Sequence, residues 1–376
     1  MSVLSPRRYF LGLAACTLAL IVLLVISPGI GSSASGFTWW DVWRAKCGIE
    51  ISASELRGRP FADVDSDGAI SPDEARQFAT LAANIGFQHR LPRSLLALCV
   101  GVTLAMCGAT FQVLFRNPLA TPYTLGIASG GSLGALIAIR LGWEASFFGV
   151  SSLSLAALAG GMIVVGAVLF LARSARRLTS NEMLLAGVTM GMFCAAMMML
   201  ITAISSERQT FRVIRWMMGS LDTISTLKTT TMLPLILPAW AVLIGSARAL
   251  NQYRLGDEMA ATRGVNLRAL QGLCVLVCTL ATAAVVANCG PIGFVGLVVP
   301  HVVVLLFGPD CRILLPASAL IGGSFLILCD WVSRQAMHAV GMVTGRELGS
   351  SILPVGVVTA VIGVPLFLTL LRSRRR

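Results

Sequence analysis

Charge is scarce in this sequence. Only 12% of its 376 residues are charged and 56% are hydrophobic, for a mean hydropathy of +0.82, whereas a water-soluble domain carries about 25% charged residues. Water is therefore excluded as the solvent for most of the chain, and the bilayer is expected instead. Lysine is nearly absent, with Lys46 and Lys228 the two in the chain. A phosphate-binding loop needs a glycine-rich turn ending in lysine. These two follow Ala45 and Leu227, so ATP is not handled through such a loop here. Histidine numbers three, and no H-E-x-x-H pair, G-x-S-G motif or pair of membrane aspartates is present.

The ten cysteines are mostly dispersed singly through apolar segments, as at Cys99, Cys107, Cys194 and Cys329, where they act as small hydrophobes. Cys274 and Cys278 share a helical face, but no second pair or histidine accompanies them, which is not the pattern of a zinc site. The formal net charge is +12. Its arginines flank apolar runs, which sets membrane orientation rather than nucleic-acid binding.

A spanning helix needs about 20 apolar residues. By that measure ten spans are expected, at 10–26, 93–115, 123–141, 150–171, 183–204, 230–248, 267–288, 292–307, 313–333 and 352–371, making an all-α polytopic membrane protein. The first is long enough to be a retained span rather than a cleaved signal, and Leu13-Ala14-Ala15-Cys16 is read as an accidental lipoprotein box. An even count places both termini on one side. Arg7, Arg8, Arg372, Arg374, Arg375 and Arg376, with Arg173, Arg176 and Arg177, make that side the cytoplasm, while Arg208, Arg212 and Arg215 fall outside against the rule. Small-residue runs such as Gly130-Gly131-Ser132 and Gly322-Gly323-Ser324 permit close helix packing. Two hydrophilic stretches remain, an outer one over about 32–89 and an inner one over 248–268.

Arg90-Leu91-Pro92-Arg93, Gly108-Ala109-Thr110-Phe111-Gln112, Arg116-Asn117-Pro118-Leu119-Ala120-Thr121-Pro122 and Gly126-Ile127-Ala128-Ser129-Gly130-Gly131 stand in that order. Leu185-Ala186-Gly187, Trp216-Met217-Met218-Gly219-Ser220-Leu221, Gly293-Phe294-Val295-Gly296-Leu297-Val298-Val299-Pro300-His301 and Leu353-Pro354-Val355-Gly356-Val357-Val358-Thr359 follow. Together, over about 90–371, they resemble the FecCD family of importer permeases. Departures from the family pattern are Val304 for an arginine, Cys311 for a histidine and Ile352 for a glutamate.

The resemblance implies a type II ATP-binding-cassette importer permease over 1–376, in the inner (cytoplasmic) membrane. It implies iron-siderophore, haem or cobalamin-type substrates, a cytoplasmic ATPase dimer that uses the ATP, and a periplasmic or extracellular substrate-binding protein. A second permease subunit, most simply a homodimer, is implied as well. By the same resemblance, Leu255, Gly256, Asp257, Glu258, Ala260, Ala261 and Gly264, within the 248–268 segment, form the short coupling helix that rests in the ATPase. Arg90, Arg93 and Arg334 resemble an outer docking surface for acidic residues of the binding protein, where charge pairs steer encounter. Thr179 and Ser180 resemble the small polar residues that narrow the inner end of the pathway, and they also fit a helix cap before Glu182. His301, in a predicted span without a metal partner, is read as a neutral, hydrogen-bonded structural residue.

The 45–89 insertion holds a pattern of its own. Asp63, Asp65, Asp67, Ala69, Ser71 and Glu74 stand at the ligand positions of a twelve-residue calcium loop, with Gly68 at the sharp turn. An EF-hand-like site with calcium is therefore expected, and no other intrinsic cofactor. The incoming helix is interrupted by Gly58 and Pro60, and Ser71-Pro72-Asp73-Glu74 would by itself serve as a capping box and first-turn proline. Two readings from other classes stay open: an intramembrane enzyme, which would need a nucleophile with a base or paired metal ligands, and a passive channel, which would leave the coupling-like stretch without a purpose.

Overall fold

A computed structural model describes residues 6–27, 39–49, 51–56, 70–143, 145–147, 150–174, 180–222, 226–344 and 352–373. The chain opens with α1 (Pro6–Ile26), an apolar helix with little polar face. Among the described residues of the hydrophilic stretch three helices follow: α2 (Trp39–Lys46), α3 (Ala53–Leu56) and α4 (Pro72–Asn84). Ile51, Leu56, Ala75 and Phe78 form a small core of their own there. Just before the calcium-loop pattern the described residues hold the single turn α3, and residues 57–69 lie outside the description.

Helix α4 does not stop before the membrane. It passes through one π-helical turn, Ile85–Arg90, into α5 (Leu91–Leu114), making 43 continuous helical residues. Gly86 lies in that turn, where an added Cβ would meet the Val42 side chain at 2.3 Å. Trp43 closes the contact, edge-on to Phe87 at 5.3 Å and donating through Nε1 to Val25 O at 3.2 Å. The insertion therefore packs through α2 onto the entrance of α5.

The rest is bundle. Helix α6 (Ile127–Arg140) precedes a two-residue antiparallel pair, β1 (Ser146–Phe147) with β2 (Val150–Ser151). Then come α7 (Ser152–Ser174), α8 (Ser180–Ala203), the amphipathic α9 (Glu207–Met217), α10 (Leu227–Gly245), α11 (Ala247–Arg254), α12 (Asp257–Thr262), α13 (Leu267–Cys289), α14 (Val295–Phe307), α15 (Cys311–Thr344) and α16 (Val355–Ser373). Six described helical stretches are long and apolar enough to cross a bilayer, and four shorter apolar ones, in α1, α6, α14 and α16, fall in the remaining expected spans.

Helix α5 is the axis of the bundle. Of its most apolar stretch 89% lies inside the protein, against 11% for α8. Glycine makes that depth attainable: a Cβ on Gly101 would lie 2.3 Å from Gly322 O of α15, and one on Gly108 would lie 1.9 Å from Gly296 O of α14. Backbones touch at both points, which suits helix association in lipid, where there is no hydrophobic drive. Helix α14 has 13 residues, about 20 Å, too short to span alone. Its start at Phe294, a left-handed residue with φ 67, follows an irregular segment inside the bundle. The buried polar groups there find partners, Ile292 N donating to Tyr123 Oη at 3.2 Å and Gly290 N to Val286 O at 2.8 Å. Irregular backbone at membrane depth is tolerated only when it is satisfied within protein in this way.

Candidate functional site

Charged side chains concentrate at the two ends of α5. At its first turn Arg93 enters the bundle, where Nε donates to Asp330 Oδ1 of α15 at 2.6 Å and Nη1 to Asp222 Oδ1 at 2.9 Å. One turn beyond Asp330, Arg334 brings Nη2 to 3.0 Å from Asp330 Oδ2, an ionic contact rather than an aligned hydrogen bond. Ser27 Oγ lies within reach of Arg334 Nη2 at 3.4 Å and of Trp331 Nε1 at 3.2 Å, and it pairs with Ser94 Oγ. Asp330 is fully buried, whereas the Asp222 side chain is half exposed. One buried carboxylate thus holds two buried guanidiniums, with a second carboxylate reaching in from the α9–α10 connection.

The three arginines expected at an outer docking surface do meet at one end of the bundle. Their surroundings differ from that expectation, because Arg90, Arg93 and Arg334 are 6%, 7% and 5% exposed. For Arg93 and Arg334 the reason is Asp330, a carboxylate inside a predicted span. An ionisable group in a span calls for a named partner, and an aspartate four residues before an arginine is the signal from which the cluster could have been read.

The Asp222 connection is fastened by residues from two of the sequence motifs and by the end of α13 with the two residues after it. Ser220 N donates to Cys289 O at 2.7 Å and Gly356 N to Gly219 O at 3.3 Å. Gly219 and Gly290 have φ of 69 and 70, and an added Cβ would meet Pro291 O at 2.4 Å and Trp216 O at 2.3 Å, respectively. Only glycine fits either place.

The opposite end of α5 is built differently. Arg116 lies just beyond it with φ 48. Its Nη2 donates to Tyr253 O at 2.8 Å and to Asp257 Oδ1 at 2.5 Å, and its guanidinium stacks 4.7 Å over the Tyr253 ring. The stretch expected to be a coupling helix is indeed a short helix, α12, and Gly256 and Gly264 flank it at φ 121 and 79, with nothing within 4 Å of an added Cβ. Ala260 is fully buried, and Leu255 and Met259 are exposed at 59% and 48%. Glu258 and Ala261 are exposed too. Helix α11 is tied to α15 at the same end: Asn251 Nδ2 donates to Asp310 Oδ1 at 2.6 Å, Cys311 N donates to Asn251 Oδ1 at 2.7 Å, and Arg254 donates to Pro309 O.

A cavity of about 340 Å³ opens beside this network, lined by Gln112, Arg116, Arg254 and His301 among others. His301 is buried in α14, edge-on to Phe367 at 6.0 Å. Among the described residues no cluster of three metal-ligating side chains occurs.

Of the two gate residues, Thr179 lies outside the described residues and Ser180 begins α8. Asp63, Asp65, Asp67 and Ala69 also lie outside them. Ser71 and Glu74 form the capping box of α4, with Ser71 N donating to Glu74 Oε2 at 2.8 Å and Glu74 N to Ser71 Oγ at 3.3 Å. The bond to Ser71 N engages one carboxylate oxygen of Glu74, so the ninth and twelfth loop positions double as helix cap and third helical residue.

Comparison with known proteins gives one consistent family. The model of the FecCD transport family matches residues 18–373. The chain is 36% identical over 310 residues to the uncharacterized ABC transporter permease protein YvrB of Bacillus subtilis, covering 82% of this chain and 83% of that one. It is 37% identical over 297 residues to the vitamin B12 import system permease protein BtuC of Escherichia coli, covering 77% and 84%. Among solved structures, an inward-facing transporter assigned provisionally to the metal-chelate type of ABC transporters aligns with a TM-score of 0.75 and 28% identity, over 96% of this chain and 98% of that one.

Proposed function

The chain belongs to the FecCD transport family and is an ABC importer permease, and from that membership we propose that it carries an iron-siderophore, haem or cobalamin-type substrate into the cytoplasm. In this reading a binding protein delivers substrate at the Arg93 end, and a separate ATPase dimer engages α12 at the other. The observation that carries it is the placement of a short, glycine-flanked helix at the end of α5 opposite to the arginine cluster. Rigid-body motion can pass through such a helix, whereas an intramembrane enzyme or a passive channel would have no use for it.

The second subunit is a copy of this chain. Helix α8 supports that choice, because Leu185, Met192 and Met199 are 68%, 70% and 74% exposed and methionine-rich faces adapt readily to a partner. Both termini lie in the cytoplasm by their arginines, and Thr179 with Ser180 narrows the pathway there. The insertion binds calcium through Asp63, Asp65, Asp67, Ala69, Ser71 and Glu74. The support is the loop spacing in sequence and the helical continuity from Glu74 to Arg90, by which an ordered loop would steady the docking end.

The test is uptake into proteoliposomes that contain the chain with its ATPase and binding protein. ATP-dependent accumulation of labelled cobalamin, ferric siderophore or haem is expected, and the favoured substrate names the class. Uptake without the ATPase would establish a channel instead. Carboxylate-dependent calcium uptake by the full chain in lipid, lost in Asp63→Ala, tests the loop, and its absence at millimolar calcium would leave the capping box as the role of Ser71 and Glu74.

A further inference from the structure

Helix α12 sits between two glycines whose backbone angles suit few other residues, so it can pivot at both ends. Among its described residues, Asp257 is the one whose side chain makes a polar contact with another element, and that contact is Arg116. Arg116 in turn is not free to follow passively. A non-glycine residue at φ 48 is uncommon and persists where its surroundings hold it. Here they do, through the hydrogen bond from Asn117 N to Gln112 O at 3.2 Å on one side and through Tyr253 O, the Tyr253 ring and Asp257 on the other.

Helix α5 then runs 24 residues from Leu91 to Leu114, about 36 Å, and Arg93 stands at its far end. It packs most extensively on α15, backbone against backbone at Gly101 and Gly322. That helix is fastened to α11 through Asn251 and Arg254 at the Arg116 end, and to Arg93 through Asp330 at the other. Packed helices of this kind shift as rigid bodies and do not bend continuously.

We propose that Arg116 is the positioning residue through which α12 moves α5, and that α5 with α15 carries the motion to the Arg93–Asp330–Arg334 cluster. The proposal rests on the permease reading above. The side chains of Arg116 and Asp257 are 44% and 58% exposed, and a pair so exposed contributes little to folding. Its loss should therefore appear in coupling and not in stability.

The experiment reconstitutes the full chain with its ATPase and binding protein and measures substrate imported per ATP hydrolysed, alongside ATPase retention and melting temperature. Arg116→Ala should lower that ratio about tenfold, the size of a typical coupling between sites, with the ATPase still bound and melting unchanged. Arg116→Lys keeps the charge but loses the planar fork and the stacking, and it should fall between. Adding Arg116→Ala to Asp257→Ala should change the ratio little further, since neighbours acting through one contact are not additive. An unchanged ratio in Arg116→Ala would overturn the inference, as would full multiplication of the two effects. Should the unaltered chain show no ATP-dependent uptake, the permease reading itself fails; should it be coupled while Arg116→Ala couples equally well, this inference alone does.

Discussion

The two ends of α5 carry the same chemistry, arginine on aspartate, in opposite settings. At the Arg93 end the carboxylate of Asp330 is buried and shared by two buried guanidiniums. At the Arg116 end both partners are exposed and one of them rides on a helix between two glycines. A buried ion pair is costly to break once formed, because removing one partner strands a charge out of water. An exposed pair can open and re-form at little cost. One end is built to hold its geometry and the other to change it.

The largest expected effect breaks the held end. Asp330→Ala leaves Arg93 and Arg334 without their buried counter-ion and should destabilise the chain by roughly 3–5 kcal/mol, read as a drop in the melting temperature of the detergent-solubilised protein and in yield. Arg93→Ala with Asp330→Ala should cost less than the sum of the single changes, because each removes the partner of the other. A melting temperature for Asp330→Ala equal to that of the unaltered chain would abolish the contrast between the ends.

A smaller effect is expected at the glycine-flanked end. Gly264 has φ 79 in open space, so Gly264→Val meets no neighbour but forces a branched side chain into a left-handed backbone, at a local cost of about 1–2 kcal/mol. That strain falls on α12 and its hinge, not on the bundle. Melting should change slightly while ATP-driven uptake drops and hydrolysis continues. Equal loss of melting temperature in Gly264→Val and Asp330→Ala would mean that both ends are structural.

Much of this contrast was legible in the sequence, and the rest was hidden for identifiable reasons. The ten expected spans each contain one apolar helix among the described residues, since hydropathy over about 20 residues is a strong signal. The 255–264 stretch, by composition an ordinary connector, resembles the short coupling helix of the family, and a short helix, α12, forms within it. The continuity of α4 into α5 was not legible, because Gly86 argues for a break and only the contact with Val42 explains it. The burial of Arg90, Arg93 and Arg334 was not legible for a different reason. Burial of Arg93 depends on Asp330, 237 residues away, and on Asp222, 129 residues away; the local Asp330–Arg334 spacing signals one pair of the cluster and does not point to Arg93. Arg116 was visible as part of a motif, but its contact with Asp257 comes from folding.

Asp222 distinguishes the two ends most finely, because it is an exposed carboxylate attached to the buried cluster. Its side chain is 51% exposed while its partner Arg93 is 8% exposed, so solvent screens much of the pair and Asp222→Asn should cost under about 1 kcal/mol. That loss should shrink as salt rises, since a half-exposed pair is screened within a Debye length of about 10 Å at 0.1 M. The Asp330→Ala loss, set inside the bundle, should persist. The substitution also tests docking more cleanly than charge reversal at Arg90, Arg93 and Arg334, which would disrupt the core before reporting on a partner. If an acidic surface of the binding protein approaches Arg93 from outside, it must meet Asp222 first, and a neutral asparagine should raise the association rate at low salt. An Asp222→Asn chain with unchanged association at low salt would place the docking contact elsewhere, and the Arg93 end would then serve only to hold α5 to α15.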